Sequence, residues 1–157
     1  LHLPYPKLAL KGLNKIIPKD LNPENKERLT NNFDASITYS RQIGNIYTGS
    51  LYLGLLSLLE QSQDLKAGDK IGFFSYGSGA VSEIFSGRLV EGYKDLLRSD
   101  RLDTFAKRQQ LSVADYEKLF YEEAQLDDTG STQFADYQTG AFRLTEISEH
   151  QRIYKGN

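Results

Sequence analysis

The segment GNIYTGSLYLGLLSLLEQ at 44–61 carries the most information about the fold of this 157-residue chain. Leucine and tyrosine occupy most positions between 51 and 59, so a helix here would have no polar face. A helix that is apolar all round is typical of one buried on every side. The pattern predicts a buried helix from Ile46 to Gln61, with Asn45 as its N-cap.

Two further helices are predicted upstream of this segment. Pro6 suits the first turn of a helix, where a missing N–H costs nothing, and Pro18 would end that helix. Asn22 followed by Pro23 is a typical start for a second helix, which the apolar spacing carries to about Tyr39.

Strand patterns follow the buried helix and alternate with helical ones. IGFFSY at 71–76 predicts a strand, 77–79 a glycine-rich turn, and 80–85 a second strand beside the first. Ser112 is predicted to cap a helix running to about Ala124. Alternating residues from Phe142 predict a closing strand that continues as far as Tyr154. Helices alternating with strands indicate an α/β fold with helices on both faces of a sheet.

Composition and charge exclude several classes of function. The net charge of −2 gives no global field that would favour nucleic acid or an anionic membrane surface. The apolar run at 51–59 is too short to span a bilayer. We therefore expect a cytoplasmic protein that binds neither nucleic acid nor membrane.

The chain contains no cysteine and no methionine. Without cysteine there is no disulfide, no thiolate metal ligand and no cysteine nucleophile. The two histidines, His2 and His150, are too far apart in sequence to form a local metal motif, so no metal site is predicted. Because a start codon would normally leave a methionine, and the chain opens at Leu1, we expect it to be cut from a longer protein.

Familiar nucleotide and hydrolase motifs are missing from the glycine-rich turn. A dinucleotide fingerprint that began at Gly77 would need glycine at position 82, which is Ser82. A nucleophile elbow around Ser78 would need glycines at positions 76 and 80, which are Tyr76 and Ala80.

Three polar residues remain as candidates for a site. His2 ends a strand-like stretch, Asn45 lies at the mouth of the apolar helix, and Ser78 lies between two glycines. In an α/β sheet, ligands bind at the carboxyl ends of strands and at the first turns of helices.

Each candidate also has an ordinary structural interpretation. A lone histidine is usually structural, Asn45 is a good plain N-cap, and Ser78 suits a tight turn. Lys7, Lys11 and Lys15 follow each other four residues apart, as on a solvated helix face. Residue chemistry alone leaves both interpretations open.

Three segments of the chain resemble those of a known family. LHLPYPKL at 1–8, GNIYTGSLY at 44–52 and FFSYGSGA at 73–80 are similar to segments of bacterial-type hydroxymethylglutaryl-CoA synthases, in the same order and at about the same spacing. The similarity covers essentially all of 1–157. It implies a single domain at 1–157, the C-terminal half of a thiolase-like fold with a mixed β-sheet and helices on both faces. The N-terminal half, which carries the nucleophilic cysteine in that family, would be absent.

The resemblance also implies an activity and roles for the three candidates. The family are acyltransferases that condense acetyl-CoA with acetoacetyl-CoA to form hydroxymethylglutaryl-CoA, the precursor of mevalonate in isoprenoid biosynthesis. His2 matches the catalytic histidine that holds and polarises the acetoacetyl group, and Asn45 matches the asparagine that hydrogen-bonds the same substrate. Ser78 matches the residue whose backbone N–H contributes to the oxyanion hole.

Further binding residues and partners are implied by the same resemblance. Lys7 aligns with a lysine near the CoA entrance, Lys11 lies one turn further on, and Tyr76 and Gly77 lead into Ser78 at the substrate. Coenzyme A thioesters would be substrates, with no separate cofactor and no metal. The missing N-terminal half and a second copy in a homodimer are the expected protein partners. Because the chain lacks a cysteine, we expect it to be inactive alone.

Two other functions remain open on sequence alone. One is an enzyme like ketoacyl-carrier-protein synthase III, which shares the fold and also uses a histidine and an asparagine. The other is a non-catalytic module that binds acyl thioesters or another protein.

Overall fold

The computed structural model of the chain describes residues 6–77, 79, 81–134 and 140–156. The chain divides into two compact units, one that ends at Asp100 and one that begins at Arg101. Each unit is described by itself.

The first unit contains three helices followed by a strand pair. Its elements are helix α1 (Pro6–Ile16), helix α2 (Pro23–Ile43), helix α3 (Gly49–Gln61), strand β1 (Lys70–Gly77), strand β2 (Val81–Arg88) and a short 3-10 helix (Tyr93–Leu96). Both upstream helices begin where the sequence predicted. Asn22 caps α2, because its Oδ1 accepts a hydrogen bond from the N–H of Asn25 over 2.8 Å. The helix ends at Ile43, one turn later than predicted, and the N–H of Gly44 donates to the carbonyl of Ser40.

Apolar side chains of α1 and α2 form a small core in the first unit. Ala9 packs against Phe33 and Ile37, and Leu13 covers the same cluster. Helix α3 lies close against α2, where a Cβ on Gly54 would be 3.5 Å from the carbonyl oxygen of Ser36. That distance is an ordinary van der Waals contact, so α2 and α3 pack closely at this point.

Helix α3 departs from its prediction at its start and in its burial. It begins at Gly49 rather than Ile46. Leu51 and Ser57 are its buried residues, whereas Tyr52 is 58% exposed. The expectation that this helix is buried on every side is wrong for this chain, because α2 covers one flank and other apolar residues border an open cavity.

The two strands of the first unit form an antiparallel hairpin. Lys70 pairs with Arg88 at one end and Gly77 pairs with Val81 at the other. In the middle, the rings of Phe73 and Phe85 stack with their centroids 4.7 Å apart. Cross-strand aromatic pairs of this kind stabilise an antiparallel ladder.

The second unit combines two short helices with an antiparallel sheet. Its elements are helix α4 (Arg101–Ala106), helix α5 (Val113–Tyr121), strand β3 (Thr132–Gln133), strand β4 (Phe142–Ser148) and strand β5 (Gln151–Gly156). Ser112 caps α5 as predicted, since its Oγ accepts from the N–H of Asp115 over 3.1 Å. The helix ends at Tyr121, earlier than Ala124.

A two-residue turn divides the predicted closing strand. Glu149 and His150 both have positive φ angles, 48° and 64°. This pair of left-handed residues is typical of the tight turn that joins adjacent antiparallel strands. The single strand predicted from Phe142 to Tyr154 is therefore two strands, β4 and β5.

The Asp127 turn, residues 127–131, lies beside this hairpin. Asp127 Oδ1 accepts hydrogen bonds from the N–H and the hydroxyl of Thr129 and from the N–H of Ser131. The buried Gly130 has a φ of 75° and lies against the imidazole of His150. The N–H of His150 donates to the carbonyl of Gly130 over 3.0 Å, which joins the turn to the hairpin.

The α/β class predicted from the sequence is confirmed, with antiparallel pairing in both sheets. Only residues 78–80 separate β1 from β2, and only 149–150 separate β4 from β5. Connections this short cannot join parallel strands, which need a crossover of a dozen residues or more. The described strands thus contain no parallel pair, and do not themselves form the mixed sheet that was expected. None of the helices among the described residues is long and apolar enough to cross a membrane.

Candidate functional site

Five of the seven predicted site residues lie in the described part of the first unit. Asn45 precedes α3, Lys7 and Lys11 lie on α1, and Tyr76 and Gly77 end β1. His2 and Ser78 lie outside the described residues, so their assignments remain predictions.

Asn45 lies in a hydrogen-bonded turn and does not cap the helix directly. Its Oδ1 accepts from the N–H of Tyr47 over 2.9 Å and from the hydroxyl of Ser50 over 3.0 Å. The residue before the helix is Thr48, which makes no side-chain capping bond. The N-cap prediction for Asn45 is therefore wrong, and the plain capping interpretation falls with it.

The backbone between Asn45 and α3 turns more tightly than an α-helix. The N–H groups of Gly49, Ser50 and Leu51 donate to carbonyls three residues earlier, over 3.2, 2.9 and 3.3 Å. Tyr47 has a φ of 55°, a left-handed conformation that costs a residue with a side chain about 1–2 kcal/mol. Sequence reasoning missed this turn because a helical pattern continues through 46–48.

The donors around Asn45 determine which way its carboxamide faces. The N–H of Tyr47 can only donate, so the atom that it meets must be the oxygen Oδ1. The oxygen then faces the turn and the two Nδ2 protons face away from it. No described residue accepts a hydrogen bond from Nδ2, and Asn45 is exposed. The turn therefore presents an amide donor to whatever lies outside it.

Tyr76 and Gly77 occupy the turn end of the β1–β2 hairpin, next in sequence to the predicted oxyanion residue Ser78. Tyr76 is 42% exposed and pairs with Ser82, and Gly77 pairs with Val81. A Cβ on Gly77 would meet the carbonyl of Val81 at an ordinary contact distance of 3.7 Å. Their role at a substrate remains a prediction.

The lysines of α1 occupy the face opposite its buried residues. Lys7, Lys11 and Lys15 are exposed, whereas Ala9 and Leu13 face the core shared with α2. This arrangement suits both a solvated face and a surface that meets phosphate groups. The CoA-binding role of Lys7 and Lys11 stays a prediction.

An open cavity of about 350 Å³ lies beside α3 and was not predicted from the sequence. Leu51, Leu55 and Leu58 of α3 line one side, and Ile71 and Phe73 of β1 line another. Polar residues at the cavity include Arg28, which forms an ion pair with Asp69 over 2.9 Å. The three leucines recur at helical spacing, but sequence alone could not distinguish a cavity wall from a packed interface.

The part of the chain that the structure describes contains no group of three histidine, aspartate or glutamate side chains that could hold a metal ion.

The fold and these motifs define the C-terminal part of an α/β enzyme of the thiolase-like class. The family model for the C-terminal region of hydroxymethylglutaryl-coenzyme A synthase matches residues 13–156. The chain therefore belongs to the hydroxymethylglutaryl-CoA synthase family.

Individual relatives agree with the family match. The chain is 48% identical to hydroxymethylglutaryl-CoA synthase of Enterococcus faecalis over 127 residues, which are 80% of this chain and 33% of that protein. A solved structure of an HMG-CoA synthase complexed with CoA matches 99% of this chain with 64% identity and a TM-score of 0.88. A solved structure of a Streptococcus mutans protein matches 99% of this chain with 61% identity and a TM-score of 0.84.

The chain spans only part of each of these proteins. It covers 33% of the Enterococcus faecalis enzyme and 40% and 42% of the two solved chains.

Proposed function

We propose that this chain is the C-terminal part of a hydroxymethylglutaryl-CoA synthase and supplies substrate-holding and catalytic groups to the intact enzyme. The reaction would condense acetyl-CoA with acetoacetyl-CoA to hydroxymethylglutaryl-CoA and CoA in the mevalonate pathway. The observation that carries the proposal is the Asn45 carboxamide, held with its NH₂ group outward inside a motif of the family. The family match favours this enzyme over a ketoacyl-carrier-protein synthase III.

The condensation step needs a donor where an oxyanion develops. The enolate carbon of the acetyl group forms a bond to the ketone carbon of acetoacetyl-CoA, and the ketone oxygen becomes an alkoxide. Asn45 Nδ2 would donate a hydrogen bond to that oxygen, and His2 would polarise it and supply the proton. The backbone N–H of Ser78 would stabilise the oxyanion of the acetyl-cysteine thioester.

The covalent steps need a thiolate that this chain does not contain. The chain has no cysteine, so acetyl transfer to cysteine cannot occur on it alone. In the proposal, the N-terminal half of the same protein supplies the nucleophilic cysteine and the glutamate general base. Hydrolysis of the cysteine thioester then releases hydroxymethylglutaryl-CoA.

Binding and assembly complete the proposal. Coenzyme A thioesters are the substrates, and one solved relative was crystallised with CoA. Lys7 and Lys11 are exposed on one helix and would face the CoA phosphates, with Tyr76 and Gly77 at the acyl end. The enzyme would act in the cytoplasm as a homodimer.

Release of free CoA from acetyl-CoA plus acetoacetyl-CoA tests this function. We expect turnover by the intact protein and none above background by the purified 157-residue chain. The intact protein with Asn45→Ala should retain acetyl transfer to cysteine but lose most of its turnover. Turnover by the isolated chain, or an intact Asn45→Ala protein as active as wild type, would contradict the proposal.

A further inference from the structure

We infer that Ser50 is a positioning residue that orients the Asn45 carboxamide for condensation. The inference rests on the proposed function, in which Asn45 Nδ2 donates to the substrate. Ser50 itself would not touch the substrate and would act only through Asn45.

The donors and acceptors around the Ser50 hydroxyl determine where its proton points. The N–H of Ile46 donates to Ser50 Oγ over 2.9 Å, and the same oxygen is 3.0 Å from Asn45 Oδ1. A carbonyl oxygen can only accept, so the hydroxyl proton of Ser50 points at Asn45 Oδ1. Because Oγ accepts one bond and donates the other, rotation of the Ser50 side chain about its Cα–Cβ bond would break both.

Two donors on one oxygen hold an amide that would otherwise rotate. The terminal torsion of asparagine has broad, roughly two-fold preferences, so a single hydrogen bond restrains it weakly. Tyr47 N–H and Ser50 Oγ–H both meet Oδ1. A flipped amide would place its NH₂ group against the Tyr47 N–H, and two donors would then face each other.

Ser50 has no other function in the start of α3 that would explain its hydroxyl. It is the second residue of the helix, and its backbone N–H already donates to the carbonyl of Tyr47 over 2.9 Å. Its side chain bonds to Asn45 and Ile46, both in the turn before the helix, among the described residues. The hydroxyl therefore serves the turn that carries Asn45.

A matched pair of variants in the intact protein tests the inference. Ser50→Thr keeps the hydroxyl. Ser50→Val introduces a side chain of nearly the same shape as threonine that cannot form a hydrogen bond. We expect the valine variant to lower the kcat of condensation about 10- to 100-fold, as a misplaced reacting group does. Acetyl-enzyme formation should stay near wild type in both variants, and threonine should restore most of the condensation rate. Ser50→Ala, which adds no methyl groups, should show the same loss as valine.

A double-variant comparison separates positioning from a structural effect. In an Asn45→Ala protein, Ser50→Val should cause no further loss, because the group that it positions is already gone. Multiplied losses in the double variant, or equal rates for threonine and valine, would overturn the inference. If Asn45→Ala impairs condensation and Ser50→Val does not, the inference fails while the proposed function stands. If Asn45→Ala leaves condensation unchanged, the assignment of Asn45 and the inference both fall.

Discussion

The hydroxyl of Ser57 on α3 bonds to the backbone of Tyr39 on α2, and both residues are almost completely buried. Ser57 Oγ accepts from the N–H of Tyr39 over 3.2 Å and donates to the carbonyl of Ala35 over 2.5 Å. These two backbone groups are four residues apart, the spacing of a bond within α2 itself. The side chain of Tyr39 also bonds to α3, since its hydroxyl donates to Glu60 Oε2 and accepts from Gln61 Nε2. The apolar helix is thus joined to α2 by buried polar bonds.

Removing the Ser57 hydroxyl should lower stability by a modest amount. We expect Ser57→Ala to reduce the free energy of unfolding by about 1 kcal/mol, because buried hydrogen bonds are lost. The loss is modest because the Tyr39 N–H can then donate to the Ala35 carbonyl within α2. Urea unfolding followed by circular dichroism measures the change. Ser99→Ala, at an exposed loop position, is the control and should have no measurable effect. Equal stabilities of the two variants would show that the Ser57 bonds are not stabilising.

A side chain at Gly130 should destabilise the Asp127 turn. A Cβ at Gly130 would lie no more than 2.6 Å from three atoms of the His150 ring, and the φ of 75° disfavours other residues. We expect Gly130→Ala to cost about 1–2 kcal/mol in unfolding free energy, mainly from the left-handed backbone, because the exposed imidazole can rotate away. Adding His150→Ala should recover the part of this free-energy loss that comes from contact between the new Cβ and the His150 ring. A double variant as unstable as the sum of both single variants would contradict this packing.

The Asp127 turn should loosen in acid. Hydrogen bonds from the hydroxyl of Thr129 and the N–H of Ser131 hold the pKa of the Asp127 carboxyl below its ordinary value. A lowered pKa in the folded state means that the stabilisation is present above the unfolded value of about 3.9 and disappears as the pH falls through the folded pKa. The amide signals of Thr129 and Ser131, followed by NMR, should move in that acidic range.

Asp127→Asn should remove this pH dependence, because an asparagine oxygen accepts the same bonds without titrating. Asp128→Asn is the control at the neighbouring position and should leave the transition in place. Amide signals that titrate alike in all three proteins would show that another group causes the change.

Loss of either predicted donor in the intact enzyme should impair condensation and spare acetyl transfer. His2→Ala and Asn45→Ala should each raise the barrier of condensation by about 2–4 kcal/mol, the usual contribution of one oxyanion donor. Rapid-quench measurement of acetyl-enzyme formation, beside overall turnover, separates the two steps. Equal losses in both steps would assign these residues to acetyl transfer instead.

The exposed face of α3 should make the isolated chain self-associate. Tyr52 is 58% exposed and the neighbouring leucines are half-buried, so apolar surface is open to a second copy. We expect sedimentation equilibrium to show a dimer, and Leu55→Glu to shift it towards monomer because a charge in that interface is costly.

Leu96→Glu is the matched control, because Leu96 lies outside α3 and is already 86% exposed. It should leave the dimer intact. Thermal unfolding of both variants shows whether the fold is kept. A wild-type monomer at high concentration, or a dimer insensitive to Leu55→Glu, would exclude association through α3.

Features specified by near neighbours in the chain were predicted well. Pro6 starts α1 and α1 ends before Pro18, while Asn22 and Ser112 cap their helices as expected. Each such feature depends on residues within about one helical turn. The division of the last strand was missed, because Glu149 and His150 form a tight turn without the glycine that usually marks one.

The site was only partly predictable, because its geometry depends on a turn that the residue pattern does not reveal. The sequence motif identified Asn45 as a candidate site residue, but its prediction as the N-cap of α3 was wrong. Its carboxamide oxygen is held by Tyr47 in a left-handed conformation and by Ser50 five residues away. A helical pattern gives no sign of a turn inside it, and a left-handed tyrosine is rare enough that no sequence rule would place one there.

The sequence by itself determined the family, the α/β class, the N-caps of α2 and α5 and the absence of a thiolate, because each depends on residue identity or on neighbours in the chain. Only the tertiary structure decided where α3 begins, how Asn45 faces and where the open cavity lies beside Leu51 and Leu55. These features depend on which faces of the helices meet and which remain uncovered. Burial is a property of elements packed together, and an apolar pattern states only that a residue can be buried.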